Sequence, residues 1–319
     1  MYTYLNKHLI KILQKLIVPL VFKGREIDWF RNYSFAASDL PKILVRLRRF
    51  IWKQFLELEE PTDLTVTWLS GIKLRLRMGN DLSECMFVGG CYEPNEMAFI
   101  NLFLKPGMTF IDIGANEGFF SLFAKSCVGQ TGRVIAFEPS PRDYDRLCQN
   151  QALNPTLELE LHNFGLSDRR HSETLHLAEP RHSGHNTLGN FAYDIEEANR
   201  VEIELRTLDD VWLQQSWQSV EMLKIDTEGS ELQILRGASQ IIKSFRPVVL
   251  VEVVPKLLEA QSASAEALQR LLYDAGYSLF VFGSTGKPRQ FQALPSEGAN
   301  ILAIPSDKLY DVTSFLANS

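Results

Sequence analysis

Cysteine is scarce in this 319-residue chain: four residues (Cys85, Cys91, Cys127 and Cys148), with no C-x-x-C pair among them. That excludes a disulfide scaffold and points to free thiols in a reducing compartment. Long apolar runs are missing from the first stretch, where the longest, Leu16–Phe22, has seven residues and contains Pro19. A bilayer span needs about 20. KGREIDWF follows without a small-residue cleavage site, which argues against a secretory signal. Repeats and low-complexity segments are also absent. With 45% hydrophobic and 23% charged residues, the composition excludes a disordered chain. The length suits one large α/β domain with an extension, or two small domains.

The net charge of −6 is unevenly spread. Residues 1–56 hold eleven Lys/Arg and three Asp/Glu, a local net of +8, so the remaining 263 residues hold −14. Leu5, Leu9, Ile12, Leu13 and Leu16 stand at helical spacing with lysines between them, and KILVRLRRFIWK at 42–53 has the same periodicity. Such a basic helical extension (residues 1–60) either docks on its own protein or lies on an anionic membrane surface. Nucleic acid is not expected as a partner, because the basic run carries no binding module and the rest is acidic. The expected location is cytoplasmic, with residues 1–56 as the segment for any peripheral membrane contact.

ELEEPTD at 57–63 reads as a boundary. A lead-in at 61–106 begins with two β-like runs, Leu64–Leu69 and Ile72–Met78, joined as a hairpin through Ser70-Gly71. Over 107–306 short apolar strands alternate with helical patterns, the signal of a parallel sheet with crossover helices. The strands read are TFIDI, RVIAFE, LELELHN, EMLKID, PVVLVEV, YSLFVF and NILAI; residues 307–319 form a tail. Near-continuous runs such as Val248–Val251 suit strands buried on both faces.

The most informative segment is GMTFIDIGANEG at 107–118. A strand enters a glycine turn, and a helix starts with Phe119, Phe120, Leu122 and Phe123 as its apolar stripe. Backbone N–H groups at such a helix start cradle ligands, and Gly114 and Gly118 are expected to let a ligand approach closely. The turn lacks the G-x-G-x-x-G of dinucleotide sites, and no Walker lysine follows. S-adenosylmethionine presents an ammonium, a carboxylate and a ribose instead of phosphate. Asp112 beside the turn and Glu138 at the end of the second strand suit the ammonium and the ribose hydroxyls. Ser140, Pro141 and Asp143 read as a helix cap, its first helical residue and its capping-box partner.

FIDIGANEG, VIAFEPS, NFGLSD, TLDD and LKIDTEGSE, in this order, resemble the FkbM family of S-adenosylmethionine-dependent methyltransferases over roughly residues 64–305. Gly90-Cys-Tyr-Glu93 resembles the family's lead-in. The resemblance implies a class I methyltransferase, a Rossmann-like α/β fold with a seven-stranded mixed sheet whose last strand inserts antiparallel. It also implies O-methylation of small-molecule or glycan-type acceptors. Carried over, Asp112, Gly114, Ala115, Asn116 and Gly118 would line the methionine end, Glu138 would hold the ribose, and Leu166, Ser167 and Asp168 would border the adenine.

A second polar group lies at EMLKIDTEGSE, 221–231. Lys224 and Asp226 share a strand face, and Asp226 ends a central strand where open α/β sheets bind ligands. Mutual pairing of the two is the structural alternative. Glu252, read as buried within VVLVEVVP, ends the next strand. Asp226, Glu228 and Glu252, with Lys224, are the candidates to orient or deprotonate an acceptor hydroxyl. Five of six histidines lie between 162 and 185. Arg181–Asn186 reads as a flexible loop that forms part of a lid, with His185 as a further candidate base, and no metal site is predicted. The competing functions are an NAD-type enzyme on the same fold and a non-catalytic cofactor binder.

Overall fold

The computed structural model describes residues 42–56, 63–191, 193–215, 217–283, 286–291, 294, 296–312 and 316. The amphipathic segment at 5–16 and most of the 57–63 boundary lie outside them. Two compact units divide the chain, residues 1–94 and 95–319.

In the first unit, α1 (Lys42–Leu56) is the expected basic helix. β1 (Leu64–Thr67) and β2 (Lys73–Leu76) pair antiparallel, Leu64 opposite Leu76 and Thr67 opposite Lys73. Ser70 and Gly71 turn the hairpin in the left-handed region, as the sequence suggested. Asn80 caps α2 (Asp81–Glu84) by accepting a hydrogen bond from the Ser83 N–H. Trp52 of α1 packs on Phe87, with ring centroids 5.5 Å apart. The Trp68 indole N–H donates to the Gly90 carbonyl at 2.7 Å.

The second unit is built on one mixed sheet flanked by helices. After α3 (Pro94–Phe103) come β3 (Thr109–Ile113), α4 (Phe119–Val128), β4 (Arg133–Phe137), α5 (Pro141–Ala152) and β5 (Glu160–His162). Short strands β6 (Gly165–Leu166), β7 (His171–Ala178) and β8 (Glu197–Arg206) form a separate three-stranded sheet in the order β6-β8-β7. There follow α6 (Leu208–Gln215), β9 (Met222–Ile225), α7 (Glu231–Gly237), α8 (Ser239–Phe245), β10 (Val248–Val253), α9 (Pro255–Ala260) and α10 (Ala265–Asp274). β11 (Tyr277–Phe282), β12 (Pro288–Gln290), β13 (Ala299–Pro305) and α11 (Leu309–Val312) complete the described elements.

The main sheet runs β12-β11-β13-β10-β9-β3-β4-β5. β3, β4, β5, β9 and β10 pair in parallel, and β13 inserts antiparallel between β10 and β11, as the resemblance implied. The strand number differs from that expectation. Pro288–Gln290, a segment too short to read as a strand, adds an eighth at the β11 edge.

All five β3 residues are buried, as are all four of β9. Ile111, Ile113, Leu223, Ile225, Val249 and Val251 join Leu232, Leu235, Ile241 and Leu268 in one apolar core. Each fully buried Ile or Leu contributes about 1.5–3 kcal/mol. The chain leaves β3 toward β4 and β5 and later returns on its other side through β9 and β10. That reversal opens a crevice at the carboxyl ends of β3 and β9, the point where sheets of this kind take ligands.

Candidate active site

The glycine turn lies at this crevice, and its glycines answer to protein packing. Gly114 has φ +82, and a Cβ there would lie 1.8 Å from the Asp226 carbonyl oxygen. Gly118 has φ +83, and its Cβ would lie 2.2 Å from a methyl of Leu147 on α5. Both glycines thus have a packing reason of their own. Gly114 lets the β3 and β9 turns touch, and Gly118 seats α4 against α5. The Gly114 and Ala115 N–H groups both donate to the Phe137 carbonyl at 3.0 Å. Asn116 is left-handed at φ +49, a conformation Asn tolerates better than most residues. Its side chain accepts from the Glu117 N–H and donates to the Ser183 carbonyl. Glu117 itself is buried and paired with Arg146 at 2.8 Å.

Glu138, just past β4, organises that turn. One oxygen accepts the Asn116 N–H and the other the Ser140 N–H, both at 2.8 Å. Burial, with Asp143 next in effect, pushes its carboxyl up to about 8. The Ser140 oxygen accepts the Asp143 N–H and so caps α5. The capping box does not close as read: the Ser140 N–H goes to Glu138, and the Asp143 carboxylate takes the Ser140 hydroxyl, Arg142 and Asn186.

Behind the turn lies a dense acidic group. Asp112 and Lys224 are neighbours in the β3–β9 register, and both are buried. One Asp112 oxygen accepts the Ser121 hydroxyl at 2.6 Å. The other has no hydrogen-bond partner and stands 4.0 Å from the Lys224 ammonium. Lys224 pairs with Asp226 at 2.8 Å and sits 4.6 Å from the Phe120 ring centroid. Asp226 is the member that reaches solvent, its side chain 22% exposed. The pairing foreseen as the structural alternative is thus present, and it lies beside Asp112. Burial raises the Asp112 carboxyl, opposed by Lys224.

Glu96 of α3 belongs to the same group and was missed by sequence reasoning. It is buried, accepts a hydrogen bond from the Asn300 amide at 3.0 Å, and has its carboxyl raised by burial and lowered in part by Lys224. A charge directly preceding the apolar run MAFINLF (97–103) was the available signal, and a weak one. Asn300 faces Glu252 across the β10–β13 ladder. Glu252 is half-buried, a correction to its apolar context, because its side chain falls at the carboxyl end of β10 where the crevice opens.

A third cluster surrounds the turn after β9. Glu228 adopts φ +56, which strains a non-glycine residue. Its carbonyl accepts from the Thr187 hydroxyl at 2.7 Å and the Gln261 amide at 3.0 Å. Glu231 braces the turn by accepting from the Thr227 and Gly229 N–H groups, and burial raises it to about 7. The Glu228 carboxylate lies 2.8 Å from His185 Nδ1. Burial raises the Glu228 carboxyl, opposed by His185. Tyr193 packs edge-on against His185 at 5.4 Å, and its phenol is raised by burial and then by Glu228 and Glu252.

Residues Pro180–His185 form a 3-10 turn, where a flexible loop was expected. Ser183 is tied to Asn116, and Asn186 to Asp143 and the Ala178 N–H. Leu166, Ser167 and Asp168 stand on the small sheet's side of the unit. Leu166 is in the core, the Ser167 N–H donates to the Arg206 carbonyl, and Asp168 pairs with Arg169 at 3.4 Å. Gly237 of α7 packs against the Ser167 carbonyl.

Comparison with known proteins sets this geometry in context. The family model described as the methyltransferase FkbM domain matches residues 112–279. Methyltransferase sdnD of Sordaria araneosa is 30% identical, over 66% of this chain and 86% of its own length. Hexuronic acid methyltransferase AglP of Haloferax volcanii is 27% identical over 49% of this chain and 63% of its own length. The 2-O-methyltransferase NoeI of Sinorhizobium fredii is 23% identical over 51% and 70%. Among solved structures, methyltransferase FkbM from Methylobacillus flagellatus is 13% identical with a TM-score of 0.39, covering 82% of this chain and 60% of that one.

Proposed function

The chain belongs to the FkbM methyltransferase family, and on that premise we propose that it moves a methyl group from S-adenosylmethionine to a hydroxyl or carboxylate oxygen of a small-molecule or glycan-type acceptor. The family match lies inside residues 107–306, which we take as the methyltransferase domain. The observation that carries the reading is the buried Asp112 oxygen with no hydrogen-bond partner beside the glycine turn. A buried carboxylate oxygen that accepts no hydrogen bond, with Lys224 no nearer than 4.0 Å, suits a cation that can donate one, such as the cofactor's ammonium.

Asn116 and the Gly114–Gly118 turn would shape the methionine end. Glu138 would accept the ribose hydroxyls: each of its oxygens takes one backbone N–H and retains acceptor capacity. Leu166, Ser167 and Asp168 would border the adenine. When bound, the cofactor supplies a methyl group already activated by its sulfonium. What remains for the chain is to align the acceptor oxygen and take its proton.

His185 is the group we assign to that proton. In the tautomer that donates Nδ1–H to Glu228, Nε2 carries the lone pair. Glu228 then fixes the tautomer and stabilises the charged ring. Asp226, held by Lys224, and Glu252 would orient the acceptor. The names of two relatives, a hexuronic acid methyltransferase and a 2-O-methyltransferase, favour oxygen on a sugar as the target.

The test is transfer of labelled methyl to a panel of sugars, hexuronic acids and small hydroxy compounds. We expect label on oxygen of a sugar-type acceptor, and turnover reduced about 100-fold in His185→Ala with cofactor affinity kept. Cofactor binding without transfer to any acceptor would favour the non-catalytic binder; transfer to nitrogen or carbon would overturn the O-directed assignment.

A further inference from the structure

Helix α1 has two apolar faces. On one, Trp52 is buried against Phe87, and Arg48 is buried with it, its guanidinium brought down to about 10 by burial. On the other, Ile43, Leu47 and Phe50 are 77%, 45% and 60% exposed. Their i, i+4, i+7 spacing places them in one stripe. Arg46, Arg49 and Lys53, all exposed, flank that stripe along one side. Over its fifteen residues the helix carries five basic side chains and no acidic one.

We infer that this outward face of α1 binds an anionic lipid surface. Exposed large apolar side chains edged by cations are the signature of a helix lying in a bilayer interface, with the apolar stripe at the acyl boundary and the cations at the headgroups. Charge decides among the occupants. A second copy of the helix would offer Arg46, Arg49 and Lys53 no anion, since it has no acidic residue, and in an antiparallel two-fold would set them against their own equivalents. The segment at 5–16 carries Lys7, Lys11 and Lys15 between its leucines and meets the same repulsion. Nucleic acid would match the cations and leave Ile43, Leu47 and Phe50 in water. An anionic bilayer satisfies both halves of the face. The contact inferred is peripheral; no helix among the described residues is long and apolar enough to cross a membrane.

The experiment is co-sedimentation of the full chain with vesicles of phosphatidylcholine alone and with about 30 mol% phosphatidylglycerol, at about 0.1 and 0.5 M salt. Binding should be at least about tenfold stronger with phosphatidylglycerol and should weaken at the higher salt. Two variants separate the halves of the face: Ile43→Ser/Leu47→Ser/Phe50→Ser, and Arg46→Gln/Arg49→Gln/Lys53→Gln. Each should lose binding about tenfold or more while circular dichroism and the thermal midpoint stay unchanged. Lipid binding that survives both variants, or no preference for phosphatidylglycerol, would overturn the inference. So would an exclusion-chromatography dimer that the serine variant dissolves, since a second copy would then occupy the face.

Discussion

Two turns meet at the crevice and are built on different terms. The β3 turn carries its left-handed positions on Gly114, Asn116 and Gly118, residue types suited to them, and its backbone N–H groups are held by Phe137 and Glu138, about 20 residues on. The β9 turn puts φ +56 on Glu228 and is held by Thr187, His185 and Gln261, more than 30 residues away. A turn built of residue types suited to its backbone carries little strain; a strained acid held by distant partners stores strain that only its surroundings can sustain.

That contrast is most exposed to Gly114→Ala. The new methyl would lie 1.8 Å from the Asp226 carbonyl at a positive φ, so the two turns must part. We expect a loss of about 3–5 kcal/mol in denaturant unfolding, whereas Glu228→Gly, which relieves strain, should leave stability within about 1 kcal/mol of the parent. Near-equal effects would erase the distinction.

Lys224→Met comes next. It strips the shared cation from Asp112, Asp226 and Glu96, a loss of about 3 kcal/mol at pH 8. The deficit should shrink toward pH 5.5, where Asp112 and Glu96, already raised by burial, take up protons. A deficit independent of pH would show that the cluster is not the acid–base unit described.

A broader pH effect follows from Glu138 and Glu231, raised from 4.5 to about 8 and about 7. Between pH 4.5 and these values the folded chain holds protons that the unfolded chain has released. Stability of the cofactor-free protein should therefore fall as pH rises through that window. Thermal midpoints from pH 5 to 8 check the sign, and Glu138→Gln should flatten the slope. An upward slope that persists in that variant would contradict the burial of these groups.

The same contrast explains what could be read from the amino-acid order. The β3 turn was legible because strand, glycines and helix stripe are contiguous, and Asp112 and Glu138 follow from strand ends. The inserted antiparallel strand came through family resemblance. Asn300 and Tyr193 were not legible, and Glu96 only weakly so, since tertiary packing brings them to the crevice from elements far apart in the chain. The ties of residues 181–186 were not legible, because their hydrogen bonds run to Asn116 and Asp143, some 40 to 70 residues distant. The packing role of Gly114 and Gly118 was not legible, because the Asp226 carbonyl and Leu147 reach them from other elements.

Isothermal titration of the full chain with S-adenosylmethionine and with NAD, repeated on Asp112→Asn, tests the central claim most directly. The account predicts binding of S-adenosylmethionine, none of NAD, and affinity at least about tenfold weaker in the variant, the loss expected from removing one charge-assisted hydrogen bond. Unchanged affinity in Asp112→Asn, or no S-adenosylmethionine binding at millimolar concentration, would contradict it.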